Sequence, residues 1–181
     1  MADETAVRSF FKSGTSVDHL VITATGGELR FGKVIETEMG QIRSLLDDRF
    51  WGTYNVVRYA APLMPSTGSI TLFSGGAAVK AFAGASVLSA AVAAVEALGR
   101  ALALELAPIR VNIVRSGPVD TPLLRADRPN ADEFIKTVGA SLPVGRIGVP
   151  ADIAQAVLFL MTNTFTTGTT LGIDGGSLIG G

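Results

Sequence analysis

The feature that most constrains this chain is an alternation of short β-branched or aliphatic runs with much longer helical runs. Four runs read as strands: His19 to Thr23, Ser69 to Phe73, Ile109 to Val114 and Thr169 to Ile173. Each is bounded by Gly, Ser or Asp. Between them lie segments with helical spacing of apolar residues. Thr37 is placed to N-cap a helix whose face continues through Met39, Ile42, Leu45, Leu46 and Phe50, with a break near Arg49 and an end at Pro62. The segment from Ser86 to Ala107 is rich in Ala, Leu and Val and is stopped by Pro108. Pro150 suits the first position of a helix running through Leu160, and a shorter helix over residues 4–12 precedes the first strand. Strands joined by helices of this length require crossover connections, hence a parallel sheet. Strands that are apolar almost throughout agree, because a parallel sheet is covered on both faces. The expected class is α/β, in a single domain over residues 1–181.

Composition narrows the chemistry. With 15 basic and 16 acidic residues, scattered rather than clustered, the chain has no electrostatic footprint for nucleic acid. There is no cysteine, and His19 is the single histidine, so thiolate and multi-histidine metal chemistry are excluded. The uncharged stretch from Tyr59 to Val79 is interrupted by Pro62, Pro65 and Gly68, and that from Ile153 to Ile173 is threonine-rich. Neither reads as a membrane span, and the acidic N-terminus does not read as a secretory signal. A cytoplasmic protein is the expectation.

Several segments carry a family resemblance. Val17 to Thr25 resembles the fourth strand of the short-chain dehydrogenase/reductase family, and Gly68 to Ser74 the fifth. Ala101 to Asn112 resembles the end of the central helix and the sixth strand. Ser116-Gly-Pro-Val-Asp-Thr-Pro122 is similar to the family's nicotinamide-contacting segment, and Pro143 to Pro150 and Gly168 to Gly176 complete the tail. The order and spacing of all these segments together make the resemblance specific. It implies a partial Rossmann-like sheet, equivalent to strands four to seven, and an NAD or NADP-dependent oxidoreductase acting on a small-molecule substrate. By family position the cofactor-contacting residues would be Ala24, Thr25, Gly26, Gly117, Val119 and Thr121.

The same resemblance exposes departures. The family's Gly-rich turn, whose backbone approaches the dinucleotide phosphates at a helix N-terminus, has no counterpart in the sequence. Its acid/base tyrosine, assisted by a lysine four residues on, has none either. The lysines are Lys12, Lys33, Lys80 and Lys136 and the tyrosines Tyr54 and Tyr59; the tyrosine and lysine positions fall on Leu88 and Val92. Arg49 stands at the helix asparagine, and Gly75 at the serine, with Ser74 one residue away. Three readings follow: a divergent or truncated oxidoreductase, a non-catalytic structural or binding subunit, or nucleotide-free acid–base chemistry around Arg49 and Ser74.

Other residues are expected to be structural. Arg49 would pair with Asp47 or Asp48. Tyr54 and Arg58, spaced i, i+4, would make an aromatic–guanidinium contact. His19 would bond to Asp18 or to backbone, and Thr121 would cap the helix after it. The alanine-rich stretch from Ala90 to Ala103 permits close helix approach, either in the core or between subunits. The apolar edge His19 to Thr23 carries no Lys or Pro guard, so it needs a partner subunit, the N-terminal helix, or more chain to cover it. A homo-oligomer, or pairing with a longer member of the family, is the expectation.

Overall fold

The computed structural model describes residues 3–12, 14, 16–24, 32–126 and 128–180. Four strands, β1 (His19–Val21), β2 (Ser69–Gly75), β3 (Arg110–Ser116) and β4 (Thr170–Ile173), lie in that spatial order, each parallel to its neighbour. The helices are α1 (Glu4–Phe11), α2 (Met39–Leu46), α3 (Gly52–Ala60), α4 (Ser86–Glu105), α5 (Pro122–Ala126), α6 (Ala131–Ser141) and α7 (Pro150–Thr162). The α/β class and the parallel sheet therefore stand.

Strand alternation assigns the two faces. Leu72 and Ile113, paired in register, face α4. Gly99 makes that contact possible, because a Cβ there would lie 2.6 Å from Ile113 Cδ1. Ile70, Leu72, Val95, Leu102, Val111 and Ile113 form the centre of the core. Arg110 and Asn112 sit at the opposite parity, toward α7. The Arg110 guanidinium donates to Leu160 O at 2.6 Å and Met161 O at 2.8 Å, so a buried cation closes the C-terminus of α7. Asn112 donates to Thr166 O and accepts from Thr169 N, fastening the loop that leads into β4.

Three local expectations change, and the break near Arg49 is met. The helix expected from Thr37 starts at Met39, and the Thr37 hydroxyl donates instead to Lys33 O, closing a turn of its own. The break near Arg49 is a π turn over Asp47–Trp51, where Thr53 Oγ1 donates to Arg49 O. His19 Nδ1 meets Ser69 Oγ at 2.8 Å rather than Asp18, because register places the two residues side by side. Arg58 lies over the ring of Tyr59, 5.7 Å away, instead of Tyr54; Glu4 on α1 attracts both, lying 4.0 Å from Arg58 and accepting a hydrogen bond from Tyr59.

α4 is the one described helix long and apolar enough to cross a membrane by length and composition. Its residues Leu88, Ala91, Val92, Val95, Gly99, Leu102 and Ala103 are buried, mostly against the sheet, as in a core helix. β1 is an edge. Asp18 O and Ile22 N bond to β2, so alternation turns the backbone groups of His19 and Val21 away from the sheet. α1 packs on α3, not along this edge, so the N-terminal helix is not its cover.

Candidate active site at the strand ends

The C-terminal ends of parallel strands are where an open α/β sheet binds ligands. Here Ala24 lies just past β1, exposed, while Thr25 and Gly26 lie outside the described residues. β2 ends at Ser74 and Gly75, and β3 at Ser116, followed by Gly117. Gly117 can be nothing larger, since a Cβ would lie 2.6 Å from Asp174 Cα. The loop after it is tied back by a bridge between Val119 and Gly148. Thr121 Oγ1 accepts from Leu124 N at 3.3 Å, the expected cap of α5, and among the described residues its hydroxyl proton has no acceptor. Arg125 then clamps this segment, donating to both Asp120 oxygens and to Asp132 on α6.

Of the residues expected at the tetrad positions, Leu88 and Val92 carry no group that can hold a proton. Leu88 and Val92, 7% and 2% exposed, form a buried apolar cluster with Leu45 and Ala85. Partly buried Ala77, Ala78 and Val87 pack against it. Ser74 turns inward: its hydroxyl donates to Glu96 Oε1 at 2.8 Å and to Val92 O at 3.3 Å. Arg115 completes this group with a fork on Glu96, 2.8 Å from Nε and 2.6 Å from its terminal nitrogen. Burial pushes the Glu96 carboxyl up, but the hydrogen bonds from Arg115 and Ser74 outweigh it, and the net shift is downward. Ser74 is thus engaged with an internal ion pair.

Arg49 differs. Its Nε is buried without a hydrogen-bond partner, and among the described residues it forms no ion pair. The pairing expected with Asp47 or Asp48 is not made: side chains one and two positions apart on a helical turn do not face each other. Burial pulls this guanidinium below its ordinary value, and the Asp48 charge opposes the pull; it remains a cation.

Sequence reasoning missed Glu96, Arg115 and Arg110. A signal for the first was present: Glu96 shares the α4 stripe of Val92, Val95 and Gly99, where an unpaired carboxylate would be costly.

Comparison with known proteins decides the lineage. A sequence model of the family described as enoyl-(acyl carrier protein) reductase matches residues 2–177. The chain belongs to the short-chain dehydrogenase/reductase family. Two family members from fungi, one of Stachybotrys chlorohalonatus and one of Gibberella fujikuroi, are 35% and 31% identical over 92% and 93% of this chain. The chain spans 66% and 64% of their respective lengths. A crystal structure of a small-chain dehydrogenase in complex with NADPH superimposes with a TM-score of 0.93 at 38% identity, covering 99% of this chain and 82% of the other. Against the family's cofactor, the described residues fit at one end only. The Gly117–Thr121 loop follows the end of β3 and carries the Thr121 hydroxyl, the group expected to meet nicotinamide. Among the described residues no Gly-rich strand-to-helix turn faces a phosphate.

Proposed function

We propose that this chain is a non-catalytic member of its family, a binding or structural subunit that keeps a ligand pocket at the strand ends and has lost the proton relay. The burial of Leu88 and Val92 with Leu45 and Ala85 carries this reading. Neither side chain can hold or move a proton, and an apolar cluster fills the place of the tyrosine and lysine. The argument is internal to α4 and holds whatever chain adjoins these residues. The test is NADH and NADPH oxidation by the purified protein across aldehydes, ketones and enoyl thioesters. A positioned general acid is worth ~100- to 10,000-fold, so no enzymatic turnover is expected. Steady turnover that co-purifies with the chain refutes the reading.

The second reading is an NAD(P)-dependent oxidoreductase that takes its proton from another group. The Thr121 hydroxyl, in the loop that follows Gly117 and without an acceptor among the described residues, favours it. Saturable NADPH binding with turnover that is lost in Thr121→Val would establish it. For partners we propose self-association through α3 and α4. There a groove lined by Tyr54, Val57, Arg58, Pro62, Leu102 and Leu106 lies open, and Leu104 is exposed. Light scattering on the purified chain tests this, and a monomer at micromolar concentration overturns it.

A further inference from the structure

We infer that segment 174–180 is a strap latched to the loop after β2 by Lys80 and Leu178, and that opening this seam admits a ligand to the strand ends. The inference rests on the binding-subunit reading above for the ligand, and on the segment's own contacts for the closure.

Three loops meet the strap. Gly117, one of the residues expected at nicotinamide, donates from its N to Ile173 O, and a Cβ on it would lie 2.6 Å from Asp174 Cα. Val144 N, between α6 and α7, donates to Gly175 O at 3.3 Å, and a Cβ on Gly176 would lie 2.5 Å from Pro143 Cγ. On the side of β2, Lys80 Nζ donates to Ser177 O at 3.2 Å, and Leu178 Cδ2 lies 3.5 Å from where Gly76 would carry a Cβ. Gly76 directly follows β2, so Leu178 fills the space that the missing side chain leaves beside the strand end. A ligand seated there must displace Leu178.

The strap's shape is set from within. The Asp174 carboxylate accepts from Gly176 N at 2.9 Å and, at 3.2 Å, from both Ser177 Oγ and Leu178 N. Gly180 N closes on Gly176 O at 3.0 Å. These bonds turn Ser177 O and Leu178 toward the loop after β2 without help from that loop. The outer attachments differ in kind. Toward β3 and the α6–α7 loop they are backbone hydrogen bonds and glycine packed on backbone or proline, which allow little play. Toward β2 they are the tip of a long, flexible side chain and an apolar contact. Ile179, next along, is 89% exposed and does not add to the latch. The seam between residues 76–80 and residues 177–178 is therefore the side that opens, as a lid opens along its weaker margin.

Hydrogen exchange of the full chain, compared with Leu178→Ala and Lys80→Met, tests the latch. In either variant exchange is expected to quicken about fivefold or more at residues 76–80 and 177–180 together, with the centres of β2 and β3 unchanged. Quickening on one side of the seam alone, none at all, or an equal rise through β2 and β3 overturns the inference. If Leu178→Ala does not fold, Lys80→Met decides. Reduced nicotinamide mononucleotide, followed by its fluorescence, then probes the opened face in Leu178→Ala, which keeps the Lys80 charge. Binding about threefold or more tighter than in the unaltered chain is expected, because the closed fraction weakens apparent affinity. Equal or weaker binding overturns the closure and leaves the strand-end pocket standing, whereas no binding by either chain removes both.

Discussion

Replacing Glu96 by Ala removes one half of an ion pair whose side chains are only 6% and 18% exposed, and leaves Arg115 charged with no carboxylate to hold it. Breaking a buried pair from one side typically costs ~3–5 kcal/mol, because the surviving charge stays desolvated. The Ser74 hydroxyl loses the nearer of its two acceptors at the same time and keeps Val92 O. Against a total stability of about 5–15 kcal/mol, the loss is roughly a fifth or more, and it lowers the melting temperature by roughly 10 °C. Urea unfolding followed by circular dichroism measures it. The decisive companion is Glu96→Leu with Arg115→Met, which removes both charges and keeps apolar volume; it is expected within about 1 kcal/mol of the parent chain. The pH dependence has a definite sign. The folded Glu96 carboxyl lies below its ordinary value of 4.5, so its contribution is complete above that value and is lost as pH falls through the lower, folded value. A loss under about 1 kcal/mol in Glu96→Ala, or a double replacement as damaging as the single one, would refute the reasoning.

Other consequences are open to measurement. Arg110→Leu uncovers the carbonyls of Leu160 and Met161; a loss of about 2–3 kcal/mol is expected, with faster amide exchange between residues 163 and 169. Gly99→Ala should destabilise by ~1–3 kcal/mol despite the better helix former, because its Cβ meets Ile113 Cδ1 at 2.6 Å. Adding Ile113→Val should recover part of that loss in thermal unfolding. Asp152, held by Arg146 and by Val149 N, titrates at about 2 instead of 3.8. Asp152→Asn should therefore lower the melting temperature above pH 3.8, with the difference from the parent closing as pH approaches about 2.

What the sequence revealed and what it concealed follow from the range of the forces involved. Hydrophobic period and proline placement are local, so the sheet, α4 and the start of α7 at Pro150 were legible. The expectation at Leu88 and Val92 rests on a count along one helix, and both residues lie buried on α4. Strand ends were less legible. β2 and β3 each run two residues past the expected end, because Ser74 and Arg115 look like loop residues until Glu96, supplied from α4, satisfies them. Such a pair joins residues 19 positions apart, and no periodicity announces it. Arg49 failed for the converse reason: neighbouring acids suggested a partner, yet one- and two-residue spacing on a helical turn turns them away from it.

The two faces of the sheet are fastened by different chemistry, and acid distinguishes them. On the α7 face the joint is Arg110 on backbone carbonyls, which carry no titrating group, and the helix start is held by a carboxylate that stays ionised to about pH 2. On the α4 face the joint depends on the Glu96 carboxylate. Falling pH therefore loosens the molecule from one side. α4 is the helix expected to part from the sheet first, with α7 still seated and the tip of β3 carrying an Arg115 that has lost its Glu96 partner.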